Sequence, residues 1–136
     1  MTARLWLRIA SVLTLLLAAL HTLGGRKHWS PMGPNTVLDQ MTVVQFNVMG
    51  ATRSYLDFYS GFGYSLSVLE ALLGILLWQM SGAITTDGAR LRPMIGMIAL
   101  ASLASAIIAW HFLFPIPAVA LALVTAAVAV AYVRAR

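Results

Sequence analysis

The chain carries only four acids and three histidines, so proton chemistry is confined to a few places. Glu70 is the sharpest of them. It stands inside the apolar run Leu-Glu-Ala-Leu-Leu-Gly-Ile-Leu-Leu from Leu69 to Leu77. A carboxylate at the middle of a bilayer is costly unless it is paired. The expectation is therefore a carboxyl bonded to His21, to His111 or to a serine of a neighbouring span, able to give or take a proton. The plainer reading is an interhelical hydrogen bond, worth about 1 kcal/mol. His21 and His111 each lie near the end of an apolar run and suit proton transfer near neutral pH, or simple bonding at the membrane interface. Neither falls in a His-x-x-x-His spacing and there is no cysteine, so no metal ligand set, iron–sulfur cluster, disulfide or thiol chemistry is predicted. No motif specifies a cofactor: the nucleotide fingerprints, Gly-x-Ser-x-Gly and phosphate loops are absent.

A second group surrounds this acid. Arg53 and Asp57 stand four apart, so on a continuous helix they pair on one face, either closing the helix end or orienting a polar head group. On a wheel of about 100° per residue, Ser60, Gly63, Ser67, Glu70, Ala71 and Gly74 share one face. Leu66, Leu69, Leu72, Leu73 and Leu76 fall mostly elsewhere. That pattern describes a helix with one side toward lipid and one toward protein or a cavity. Candidate ligand-binding residues are thus Arg53, Asp57, Ser60, Tyr64, Ser67 and Trp110. Trp29, Tyr55, Tyr59, Tyr64 and Trp110 fit an aromatic belt or the wall of a flat lipophilic ligand. Met32, Met41 and Met49 read as packing residues.

Four spans must position these groups. Of the 136 residues, 60% are hydrophobic and 10% charged, against about 25% charged in soluble domains. This implies a single integral membrane domain of all-α class, a four-helix bundle. Spans are predicted at about 5–23, 58–80, 91–112 and 118–133, each near the length a 30 Å core requires. The basic, Leu-rich opening has the form of a secretory leader, but its apolar run is long and reads as a retained span. Glu70 then lies about twelve residues, roughly 18 Å, into span two. Ser81-Gly82-Ala83 leads into a turn, and Pro93 sits in the first turn of span three. Pro115-Ile116-Pro117 is expected to make a tight turn. The small-residue series Ala101–Ser105–Ala109 and Ala118–Ala122–Ala126 predict close helix contacts. The long first loop, 24–57, carries Arg26, Lys27, His28 and Trp29, then Pro31, Gly33 and Pro34, which forbid regular structure. Beyond them, Asn35 or Thr36 could cap a short helix holding Asp39 and Gln40. The alternation from Val44 to Val48 permits a strand instead. The loop is apolar enough to be partly ordered and to fold back as a cap.

With the N-terminus inside, six basic residues lie inside (Arg4, Arg8, Arg90, Arg92, Arg134, Arg136) and three outside (Arg26, Lys27, Arg53). That places both termini in the cytoplasm and the first loop outside. The net charge of +5 belongs to span ends facing anionic lipid, not to nucleic acid.

In size, span number and long first outer loop the chain resembles small bacterial four-span proteins of the DoxX-like kind, which implies a bacterial inner membrane and a quinone or redox partnership. In its Asp57, Phe62, Ser67 and Glu70 on span two it is similar to EXPERA-type proteins, the sterol-isomerase and sigma-2-receptor group. That likeness implies sterol or isoprenoid binding, or double-bond isomerisation. Two readings of function follow. One is a membrane protein that holds an isoprenoid, sterol or quinone in its outer half, with Glu70 and a histidine contacting or protonating it. The other is an accessory subunit whose polar seam and small-residue faces dock a second copy or a partner span.

Overall fold

A computed structural model describes residues 2–25, 30 and 32–135. Arg26, Lys27, His28, Trp29, Pro31 and Arg136, named above, lie outside the described residues. Helices make up 84% of the described residues, which makes it all-α by class. In order they are α1 (Ala3–Gly25), α2 (Thr36–Val43), α3 (Tyr55–Phe112) and α4 (Pro115–Arg134), with a hairpin of β1 (Gln45–Val48) and β2 (Ala51–Ser54) between α2 and α3. α1, α3 and α4 are long and apolar enough to cross a membrane. Their contacts define two compact units: residues 1–17 with 70–136, and residues 18–69.

The first unit is built on helix packing. α3 is broken once, at Asp87, where φ −121° and ψ 32° leave the helical range. Leu77, Met80 and Ile84 before the break share a core with Ile95 after it, so the chain reverses there. The turn expected at 81–90 is therefore a single non-helical residue. Ser81, Gly82 and Ala83 are helical, and Ser81 and Thr86 bond back to the carbonyls of Trp78 and Ala83. The break precedes Pro93 by six residues, so this proline lies inside the helix and not in its first turn. It forgoes the bond its N–H would have made to residue 89. Leu7, Leu77, Ile95, Val124 and Val128 are fully buried, and Ala3, Ala10, Ala127, Ala131 and Ala135 fill the narrow spaces between them. Alanines suit these sites because small side chains let helix backbones approach.

Two further sequence expectations are corrected in this unit. Pro115 and Pro117 do not form a turn. They open α4, where the first N–H groups have no helical partner and proline costs little. The small-residue seams are also rotated. Ala101 and Ser105 are exposed, while Ser102, Ala106 and Ala109 are buried with Ile95. On α4, Ala122 and Ala126 face out, and Ala118, Val124, Ala127, Val128 and Ala131 face in. A strict four-residue series drifts around a helix of 3.6 residues per turn, so the buried line alternates steps of three and four.

The second unit answers the helix-or-strand question with both, in succession. Asn35 caps α2: its side-chain oxygen accepts from Val37 and Leu38 N–H, each at 3.1 Å, and Asp39 stands in the first turn. α2 buries no residue. The alternating stretch then forms β1, which pairs antiparallel with β2 from Gln45↔Ser54 to Val48↔Ala51. The connecting pair, Met49 (φ 53°) and Gly50 (φ 82°), has positive φ at both positions, as a type I′ turn requires. Met49 is thus a turn residue, 102% exposed, and Met32 is 82% exposed; neither packs as expected. Methionine in the left-handed region is strained by about 1–2 kcal/mol, whereas Asn-Gly is the favoured pair here. Met49→Asn should therefore slow amide exchange across Gln45–Ser54 by about fivefold. Unchanged exchange would show that the turn is not held in this conformation.

Ser54 ends β2 and starts α3. Its hydroxyl accepts from Asp57 N–H at 3.1 Å, and the Asp57 carboxylate accepts from Ser54 N–H at 2.8 Å. This is a capping box with aspartate in the acidic position. It settles the fate of the expected Arg53–Asp57 helix pair. Arg53 lies on β2, outside the helix, and donates from Nη1 to Thr52 O at 2.7 Å.

Candidate functional site

The predicted inward face of α3 faces inward. Ser67 and Gly74 are buried and Ser60, Gly63, Glu70 and Ala71 half-buried, whereas Leu66, Leu69, Leu72 and Leu76 are exposed. Leu73 is half-buried and packs against the core.

In the second unit this face meets the end of α1. His21 Nδ1 lies 2.9 Å from Ser67 Oγ, and Ser67 Oγ lies 3.3 Å from Gly63 O. Serine inside a helix commonly bonds the carbonyl one turn back. With the Ser67 proton on Gly63 O, His21 keeps its proton on Nδ1 and presents Nε2 as an acceptor. Glycines seat the rings on both sides. A Cβ on Gly63 would lie 3.9 Å from His21 Cε1, and one on Gly25 would lie 3.8 Å from Tyr64 Cε1. Tyr64 itself is half-exposed. Around the start of α3, Phe46 packs on Tyr55 and Phe58 with ring centroids 5.1 and 5.2 Å apart, and Phe58 meets Phe62 edge-on. Sequence reasoning did not single out Phe46 or Phe58. Phe58 and Phe62 stand four apart, which could have marked them as neighbours, but nothing local brings β1 to them.

In the first unit, Glu70 is half-buried and its Oε2 is enclosed without a hydrogen-bond partner. One turn on, Ser11 donates its hydroxyl to Gly74 O at 2.6 Å. Ser11 and Gly74 were not paired by sequence reasoning, because the contact spans 63 residues. His111 is exposed and stacks edge-on against Phe112, at 4.7 Å, and Trp110 is 71% exposed. The expected bond from Glu70 to a histidine or serine is therefore not formed: Glu70 Oε2 has no partner, His21 is held by Ser67, and His111 is exposed against Phe112. Of the predicted residues, the fold brings His21, Gly63 and Ser67 together; Arg53 and Asp57 serve separate backbone bonds at the strand–helix junction.

Chemically, the arrangement offers an imidazole with one ring nitrogen free of the Ser67 contact and a carboxyl with an unused oxygen, each in its own unit. Among the described residues, no group of three His, Asp or Glu side chains could hold a metal ion. Comparison of the chain with protein-family models, with curated proteins and with solved structures finds no match.

Proposed function

We propose that the chain is a four-span protein of the bacterial inner membrane that holds a lipophilic molecule of isoprenoid, sterol or quinone type. Both termini are cytoplasmic, as the six-to-three split of basic residues favours, and the ligand occupies the outer half. The observation that carries this reading is the enclosed, unpartnered Oε2 of Glu70. Buried polar atoms are nearly always hydrogen-bonded, and an orphan has a reason. A hydroxyl or carbonyl on a hydrophobic ligand would complete the bond, and the carboxyl would supply or take a proton there. In the 18–69 unit, His21 keeps one ring nitrogen free of the Ser67 contact and is by itself a group that could hydrogen-bond a polar molecule.

The test is native mass spectrometry of the gently extracted protein. Wild type should carry an oxygen-bearing neutral lipophile. Glu70→Gln keeps size and hydrogen-bonding capacity but loses the ionisable proton. It should fold normally and lose any pH dependence of ligand retention. Equal, pH-dependent retention in both proteins would rule out proton handling by Glu70.

One observation favours the accessory-subunit reading. Ala101 and Ser105 on α3 and Ala122 and Ala126 on α4 are small and exposed. A wild-type protein that carries no lipophile, and that Glu70→Gln leaves unchanged in oligomeric state and stability, would turn the assignment toward that reading.

A further inference from the structure

By sequence, the first unit holds more arginines than acids: Arg4, Arg8, Arg90, Arg92, Arg134 and Arg136 against Glu70 and Asp87. Arg8 stands out among these because it lies inside the apolar run of α1. Its guanidinium carbon sits 4.9 Å over the Trp78 ring. The aromatic face stabilises the charge but offers no acceptor to the in-plane N–H groups, and Arg8 Nε is enclosed with no partner. Arg4 lies one helical turn before Arg8, on the same face, with its side chain exposed. Arg8 is five residues, or about 7.5 Å, from the start of α1.

We propose that Arg8, with Arg4 beside it and Trp78 beneath it, binds the phosphate of an anionic membrane phospholipid. The guanidinium fork fits two phosphate oxygens through its two terminal nitrogens, which unlike Nε are not among the enclosed, unpartnered atoms. The phosphate supplies the acceptor that the protein withholds, Arg4 adds a second charge, and the acyl chains lie along the exposed apolar side chains of α1, Leu5, Val12 and Leu16. The site uses no residue of the proposed lipophile pocket, so the two proposals stand or fall separately.

The experiment titrates the full-length protein in neutral detergent with phosphatidylglycerol, with phosphatidylcholine of the same acyl chains, and with inorganic phosphate, and counts bound adducts by native mass spectrometry. Wild type should prefer phosphatidylglycerol over phosphatidylcholine, and inorganic phosphate should not compete at equal concentration. Arg8→Gln should weaken phosphatidylglycerol binding by about tenfold, the loss carried by one charge-assisted hydrogen bond. Arg8→Lys keeps the charge but loses the fork and should fall between the two. Arg4→Gln alters an exposed side chain only, so it tests the site even where Arg8→Gln unfolds; it should weaken binding severalfold. Arg90→Gln removes an equal charge elsewhere and should have little effect. Equal losses for Arg4→Gln and Arg90→Gln, or no lipid preference in wild type, would overturn the site and leave diffuse charge attraction. Competition by inorganic phosphate would identify a soluble anion as the occupant and also overturn it.

Discussion

Gly74→Ala is expected to destabilise the protein by about 2 kcal/mol, the cost of overpacking a close helix contact. A Cβ on Gly74 would lie 2.7 Å from Leu15 Cγ and 2.8 Å from its Cδ2, and 3.3 Å from the Leu15 backbone nitrogen. The side-chain atoms can move, since Leu15 is 37% exposed. The backbone nitrogen cannot move without shifting α1 itself. The same approach allows Ser11 to reach Gly74 O at 2.6 Å, so a shifted α1 also weakens that buried hydrogen bond. The double variant Gly74→Ala with Leu15→Ala separates these causes. It should recover most of the loss, because the two clashing carbons are gone, and the remainder reports the backbone contact. Equilibrium unfolding in mixed micelles provides the measurement. A Gly74→Ala protein as stable as wild type would mean that α1 and α3 do not approach this closely.

Glu70→Leu should stabilise the fold, by about 1–3 kcal/mol, while abolishing retention of a lipophile. A buried polar atom without a partner carries the full cost of its desolvation, and an apolar side chain of similar size removes that cost. Glu70 Oε2 is such an atom. Pairing Glu70 with a histidine or serine, as the helix wheel encourages, leads to the opposite expectation, since the abandoned partner would then be left unsatisfied. The sign of the change therefore discriminates between the two arrangements. Higher stability together with lost ligand is the trade expected of a functional group held at the expense of the fold. Lower stability for Glu70→Leu, with Glu70→Gln unchanged, would identify Glu70 as structural glue.

The sequence by itself determined the helical class, the apolar segments and their approximate positions, because length and hydropathy alone answer the demand that every backbone group be satisfied within a bilayer. It also determined the inward face of α3 from Ser60 to Gly74, since a single helix carries its own periodicity. Asn35 as a cap and the Gln45–Val48 strand were readable for the same local reason.

Tertiary structure decided which of several equivalent faces is buried. Ala101–Ser105 and Ser102–Ala106 are equally good small-residue pairs on a wheel, and only the tertiary packing buries the second and leaves the first exposed. It decided that Arg53 belongs to a strand, because pairing with Phe46 across the hairpin holds it there. It also decided the partners of the chemical groups. His21 meets Ser67 across 46 residues and Ser11 meets Gly74 across 63, distances over which no local pattern carries information. The same packing leaves Glu70 with a free oxygen and Arg8 with a free N–H. No residue type or spacing encodes an unmet hydrogen bond; it exists only once the neighbours have taken their places.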